Sequence, residues 1–217
     1  KRSGITIFEY QEASNIKRIT QNTKEKDLII VISSAISKDN EELQEGSKRN
    51  IEILHRSDIL SFLIQKQRSI LVAGTHGKTT TSTLISTLFI KSNQDPTVIV
   101  GGCIPYLGSN SYLGKSDFII AEIDESDGTL VKYNGNLSII TNLELDHTNY
   151  YQDMDSLIKS MNKFASNSNH VIANYDCPNL RKYLTKKSVW CSTQISKDIN
   201  FSAVPIEMDG KKTLANY

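Results

Sequence analysis

The segment Ala73-Gly74-Thr75-His76-Gly77-Lys78-Thr79-Thr80 lies between an apolar run at 69–73 and an amphipathic stretch from 78 to about 92. No other feature of the chain constrains the fold as strongly. A buried strand must leave its sheet, turn within a few residues and start a helix. Glycines allow that turn, because they let backbone N–H groups converge and approach an anion closely, and the helix N-terminus adds partial positive charge. The pattern points to a phosphate loop, with Lys78 directed at β- and γ-phosphates and the Thr79 hydroxyl at magnesium. It departs from the general loop pattern, which has four residues between its two glycines: position 72 is valine, and only two residues separate Gly74 from Gly77. The alternative is a tight turn with an incidental Gly-Lys-Thr. The strand before, the helix after and the Thr79-Thr80-Thr81-Ser82 run argue against it.

Short apolar runs alternate with amphipathic stretches along the chain, which is the pattern of an α/β fold with a mainly parallel sheet. Strands are expected at 5–8, at 28–32 as a buried run ending in Ser33-Ser34, and at 51–54, 69–73, 97–100, 117–123, 137–142, 170–174 and 188–191. Helices are expected at 40–49, at 57–65 with Ser57 as N-cap, at 78–92 and at 153–165. The third of these carries Leu84, Ile85, Leu88 and Phe89 as its apolar face, and the fourth Met154, Leu157, Ile158, Met161 and Phe164. The stretch 9–26 is polar and poorly patterned. A charged joint, Gln65-Lys66-Gln67-Arg68, marks a boundary near residue 68, and 201–217 alternates as a strand does.

Two further strand ends collect polar groups. Phe118-Ile119-Ile120-Ala121-Glu122 runs into Ile123-Asp124-Glu125-Ser126-Asp127, and Ile139-Ile140-Thr141-Asn142 into Leu143-Glu144-Leu145-Asp146-His147. Ligands of open α/β sheets gather at the carboxyl ends of strands, where a carboxylate is a natural magnesium ligand. Glu122 stands out because it sits within the apolar run, where an unpaired charge is costly. Asp124, Glu125 and Asp127 read equally well as a solvated acidic turn. A lone histidine such as His147 is more often structural than functional, but three strand ends carrying Lys-Thr, Glu and Asp-His suggest one phosphate–metal site.

Composition narrows the class. A formal charge of +1 over 217 residues gives no electrostatic footprint for nucleic acid or a membrane surface. No run approaches the roughly eighteen apolar residues of a membrane span, and Lys1-Arg2-Ser3-Gly4 leads into an apolar run without a signal-peptide layout. Cys103, Cys177 and Cys191 are odd in number and widely spaced, so reduced thiols in a cytoplasm are expected rather than zinc or disulfides.

In order and spacing, the three strand-end segments resemble the central domain of the Mur ligases, over roughly residues 28–175 with weaker similarity beyond. The resemblance implies a Rossmann-like partial N-terminal domain at 1–68 that binds a UDP substrate. It also implies a P-loop-type central domain at 69–217 that binds ATP with Mg²⁺ (or Mn²⁺). Carried over by residue, Gly74, Thr75, His76, Gly77, Lys78, Thr79 and Thr80, with Asn142, form the nucleotide-binding set. Thr79, Glu122 and His147 become metal ligands, Glu122 bridging two metal positions. Lys78, His76, Glu122 and His147 become the catalytic set.

Within the family, the loop with His76 resembles the two branches that act on UDP-N-acetylmuramate, and the acidic run Glu122-Ile123-Asp124-Glu125-Ser126-Asp127-Gly128 is closer to the one that adds L-alanine; the branch that recycles a tripeptide onto the same acceptor usually has tyrosine at the place of Ser126. Val31-Ile32-Ser33-Ser34-Ala35-Ile36 and Leu54-His55-Arg56-Ser57 resemble the L-alanine branch too. Ser33, Ser34, Asp124, Ser126 and Asn110 are the candidate substrate contacts, though turn chemistry explains Gly101-Gly102 and Gly108-Ser109-Asn110 equally well. Outside the family, a P-loop kinase or GTPase and a nucleotide-binding regulatory module remain as alternatives. A GTPase would favour an Asn-Lys-x-Asp motif, and Met161-Asn162-Lys163-Phe164 lacks the aspartate. The family's UDP-holding glycine loop would lie before Lys1 and its amino-acid-binding domain after Tyr217. The 217-residue chain is therefore expected not to turn over by itself; robust ligase activity in an ADP-release assay of the chain alone would overturn that expectation.

Overall fold

The computed structural model describes residues 4–146, 150–195, 197–209 and 212–216. It divides into two compact units, Lys1–Leu60 and Ser61–Tyr217.

In the first unit, β1 (Ile29–Ile32) and β2 (Glu52–His55) pair in parallel, Ile30 opposite Ile53. Between them runs α2 (Glu41–Lys48), started by Asn40, whose side chain accepts from the Leu43 N–H at 3.0 Å. The polar stretch without a clear pattern contains α1 (Ala13–Thr20). Its anchor is Asn15, 8% exposed, which donates to the Tyr10 carbonyl at 2.6 Å and to Glu42 Oε1 at 2.7 Å. Three expectations are corrected here. Residues 5–8 form no strand: Ile5 and Ile7 are exposed, and no ladder partner pairs with them. β1 is not a buried run, since Ile29 and Val31 share one open face. Ser57 is not the N-cap of α3 (Arg56–Gln65). The preceding His55 takes that place: its Nδ1 lies 3.2 Å from the Ser57 N–H, and Asp58 accepts from the His55 N–H at 2.9 Å, a reciprocal arrangement of the capping-box kind.

The second unit is built on an eight-stranded sheet in the order β10-β9-β8-β7-β3-β6-β4-β5. Its strands are β3 (Arg68–Ala73), β4 (Thr97–Ile104), β5 (Ser109–Tyr112), β6 (Phe118–Glu122), β7 (Leu137–Ile140), β8 (His170–Asn174), β9 (Val189–Ser192) and β10 (Phe201–Ser202). All neighbours are parallel except β5, which turns back on β4. β3 lies between β6 and β7 and is buried from Ser69 to Ala73, as a strand covered on both faces must be. Leu71, Ile119, Ile120 and Ile140 are at most 1% exposed, each contributing about 1.5–3 kcal/mol by burial. From β3 the chain passes through α4 (Lys78–Lys91) to β4, and from β7 through α5 (Met154–Asn167) to β8, in opposite directions along the sheet. The right-handed crossover rule puts those helices on opposite faces, so the strand order switches at β3. α6 (Pro178–Tyr183) joins β8 to β9, and β11 (Val204–Asp209) pairs antiparallel with β12 (Lys212–Asn216). No helix among the described residues is long and apolar enough to cross a membrane.

α5 buries Leu157, Met161, Phe164 and Ala165, close to the expected face, and Asp153 caps it by accepting from the Ser156 N–H at 2.7 Å. α4 keeps part of its expected face, with Ile85 half-buried and the Phe89 ring edge-on to Phe118 at 5.2 Å between centroids, and departs from it at the two leucines. Leu84 and Leu88 are 61% and 69% exposed, whereas Ser82 and Ser86 are fully buried. Both hydroxyls are satisfied within the helix: Ser82 donates to the Lys78 carbonyl at 2.9 Å and Ser86 to the Ser82 carbonyl at 2.7 Å. Small residues let the helix that follows the glycine turn lie close on the sheet, and apolar periodicity alone cannot report that. Replacing Ser86 with Leu should therefore lower unfolding stability by about 1–3 kcal/mol through overpacking. Leu88→Ala should change it by no more than about 0.5 kcal/mol, and urea denaturation of the two variants distinguishes the faces.

Candidate functional site

Three chain segments leave adjacent strands β7, β3 and β6 at their carboxyl ends. The register puts Val72 opposite Glu122 on one side and Ala73 opposite Ile140 on the other. The residues that follow, 74–77, 123–129 and 141–144, are therefore neighbours.

The glycine turn is fastened to the β7 exit along its length. Thr75, 6% exposed, donates through its hydroxyl to the Glu144 carbonyl at 2.9 Å and accepts from the Glu144 N–H at 2.9 Å. Asn142 accepts from the His76 N–H at 2.8 Å and donates to the His76 carbonyl at 2.9 Å, and the Thr141 hydroxyl donates to that carbonyl at 2.7 Å. The His76 ring is more than half exposed, with Nε2 3.8 Å from Glu144. Gly77 adopts φ 78° as the N-cap of α4 and supplies no side-chain cap, so the first turn of the helix keeps its N–H groups for another acceptor. Thr80 is exposed in that turn.

Lys78 and Thr79 each meet one glutamate of the β6 exit. Thr79 Oγ1 donates to Glu122 Oε1 at 3.0 Å, and the Gly101 N–H donates to Oε2 at 2.7 Å. These bonds satisfy the charge whose position in an apolar run called for partners. A Cβ on Gly101 would stand 2.9 and 3.1 Å from the two carboxylate oxygens, so a larger residue here would push the carboxylate from its present place. Gly101 and Gly102 are both part of β4 rather than of a loop, and Gly101 supports Glu122. Lys78 Nζ lies 2.7 Å from the Gly74 carbonyl, 3.1 Å from the Thr75 carbonyl, and 3.0 and 2.8 Å from the oxygens of Glu125. Glu125 is 2% exposed, and burial pushes its carboxyl above the ordinary carboxylate range, against the pull of Lys78.

Glu125 is the residue that sequence reasoning did not single out from its acidic neighbours. Asp124 accepts from the Ser126 N–H at 3.0 Å and Asp127 from the Thr129 N–H at 3.1 Å. These two side-chain turns flank Glu125 and direct it inward; the spacing of Asp124 and Asp127, each two residues ahead of its donor, is the signal that was available. Asp124 and Ser126 are half-buried on this exit, and Asn110 is exposed on β5. Ser33 and Ser34 belong to the first unit, where Ser34 Oγ lies 3.1 Å from His55 Nε2. His147 lies outside the described residues.

Beside the loop, a mainly apolar cleft of about 370 Å³ is lined by Thr81, Thr141, Ile172, Asn174, Cys191 and Ser192 among others. Its rim is held by Asp176, which accepts from the hydroxyls of Ser192 and Thr193. Burial opposes ionisation there, but those hydrogen bonds outweigh it and keep the carboxyl below its usual range. A polar hollow of about 430 Å³ around Arg68, Asp117 and Asn136 lies at the amino ends of the strands and shares no residue with the loop. Among the described residues no cluster of three or more His, Cys, Asp or Glu side chains could hold a metal. The adjoining oxygens of Thr79 and Glu122 instead suit an ion such as magnesium, which takes few protein ligands and completes its shell with phosphate and water.

Comparison with known proteins matches residues 72–213 to the Mur ligase middle domain and residues 1–68 to the Mur ligase family, catalytic domain. The chain belongs to the Mur ligase family. A Prochlorococcus marinus relative named UDP-N-acetylmuramate–L-alanine ligase is 57% identical over all 217 residues, and one of the same name from Synechococcus is 45% identical over 217. The chain spans 46% of each of these relatives. Among solved structures, a murein peptide ligase from Psychrobacter arcticus matches the whole chain with TM-score 0.81 at 20% identity, over 49% of its own length. The UDP-N-acetylmuramate–alanine ligase of Thermotoga maritima matches 88% of the chain and 43% of its own with TM-score 0.72 at 23% identity. Both share the α/β fold with a mainly parallel sheet.

The fastening of the loop can be tested directly. Thr75→Val keeps the shape but leaves the Glu144 N–H and carbonyl without their partner, and should lower unfolding stability by about 1–3 kcal/mol. Thr75→Ser, which keeps the hydroxyl, should retain most of that stability in the same denaturation experiment.

Proposed function

We propose that this chain carries the ATP-handling part of an amide ligase that joins L-alanine to UDP-N-acetylmuramate. The observation that carries the reading is the 57% identity over all 217 residues with a relative of that name. The site geometry supports it, because Lys78, Thr79 and Glu122 converge where three strand ends meet. Residues 1–68 would hold the UDP group, with Ser33 and Ser34 among its contacts, and residues 69–217 the ATP.

A carboxylate oxygen is a poor leaving group, so amide formation needs prior activation. In the proposed reaction a lactyl carboxylate oxygen of UDP-N-acetylmuramate attacks the γ-phosphorus of ATP, and ADP leaves as the P–O bond breaks. The alanine amine then adds to the acyl carbon, orthophosphate departs and the nitrogen loses a proton. The turn from Gly74 to Thr80 orients the phosphates with its N–H groups, and Asn142 acts through the His76 peptide unit to hold the turn in shape. Lys78 offsets charge on the transferred phosphoryl group. Thr79 and Glu122, with His147, would hold magnesium or manganese, which supplies further charge neutralisation when bound. His76, exposed at the tip of the turn, is available to the acceptor carboxylate, with Asp124, Ser126 and Asn110 as further substrate-side groups.

The test is Mg²⁺-dependent ADP release by an enzyme of the relatives' full length that contains this chain, with UDP-N-acetylmuramate as acceptor. Turnover is expected with L-alanine and not with other amino acids or the L-Ala-D-Glu-diaminopimelate tripeptide. Lys78→Ala should lower kcat by about a thousandfold. Turnover only with tripeptide would move the assignment to the recycling reaction, and silence with every acceptor mixture would sink the ligase reading.

A further inference from the structure

The three ammonium protons of Lys78 already have acceptors, namely the Gly74 carbonyl, the Thr75 carbonyl and the Glu125 carboxylate. The side chain is folded back over its own turn, and only 12% of its side-chain surface and 3% of that of Glu125 reach solvent. A lysine in this position cannot add a phosphate to its contacts; it must exchange one of them. Glu125 cannot simply stay beside an incoming phosphate either, since two anions sharing one lysine at this burial repel each other strongly.

We propose that Glu125 is the positioning residue of the loop: it holds Lys78 in a latched arrangement that the β-phosphate of a nucleoside di- or triphosphate must displace. The inference rests on the nucleotide-binding reading of the site and adds a competition to it. The latch orders the turn between binding events, because the same lysine ties the carbonyls of Gly74 and Thr75 together. It also discriminates among nucleotides. A monophosphate has no β-phosphate to draw Lys78 away, so only longer phosphate chains compete with the carboxylate.

Titration calorimetry of the 217-residue chain and its Glu125→Gln variant, with ADP and AMP in the presence of Mg²⁺, tests this. Loss of the carboxylate's charge should tighten ADP binding about tenfold, the size of one charge-assisted hydrogen bond, and leave AMP binding unchanged. A residue that merely stabilises the fold would instead weaken both ligands or neither. Unchanged or weaker ADP binding by E125Q, with normal ADP binding by the parent chain, overturns the latch alone. Absence of ADP binding in both proteins removes the nucleotide reading and the latch with it. Should E125Q fail to fold, the parent chain suffices: nitrogen-detected NMR should find Lys78 ammonium protons protected from exchange, with a Lys78 resonance that ADP shifts and AMP leaves in place. An unprotected Lys78 ammonium without nucleotide would overturn the proposal.

Discussion

Gly74 leaves β3 at φ 133°, and a Cβ built there would overlap the Thr141 hydroxyl and stand 3.0 Å from the backbone of Asn142. This contact between the β3–α4 turn and the chain leaving β7 is the constraint on which the rest of the site depends. The left-handed backbone excludes most side chains, and the neighbouring strand excludes the remainder. Because the turn is pressed this close, side chains of Thr75, Thr141 and Asn142 pair the backbone N–H and carbonyl groups of His76 and Glu144 across it. The loop shape therefore comes from its neighbour strand as much as from its own glycines.

Charge in the site is arranged by the same economy of placement. Two consecutive residues at the start of α4 meet two glutamates three apart at the end of β6, Lys78 with Glu125 and Thr79 with Glu122. One pairing is ionic and almost fully buried; the other joins a neutral hydroxyl to a half-buried carboxylate. Glu122 thus has neutral donors and no cation in these contacts, whereas Glu125 has Lys78. That asymmetry separates a carboxylate suited to a metal ion from one suited to holding a lysine.

The sheet and the strand–turn–helix at its centre were legible in the sequence, because long apolar runs and a Gly-Lys-Thr turn leave few other folds. Asn40 and the Asp153 cap were also readable as helix starts. What was not legible depended on contacts rather than on pattern. Glu125 looked like its acidic neighbours until side-chain turns at Asp124 and Asp127 aimed it inward. The inward face of α4 was read only in part, through Ile85 and Phe89, because leucine is assumed to be buried whereas close approach to the sheet selects Ser82 and Ser86. α1 escaped notice because its main anchor is a buried asparagine rather than an apolar stripe.

The margins of the large sheet bear on how such a chain behaves at high concentration. Among the described residues one margin is the antiparallel β5, four residues long with Asn110, Ser111 and Tyr112 exposed, and the other is the two-residue β10. Eight strands side by side would be a dangerous template if either border were long, flat and apolar, since open backbone groups recruit strands from other molecules. Here one border is short and polar and the other barely exists. The broadest β-surface of the molecule thus offers little purchase for edge-on polymerisation, and the colloidal stability of the chain rests in part on how briefly its outermost strands run.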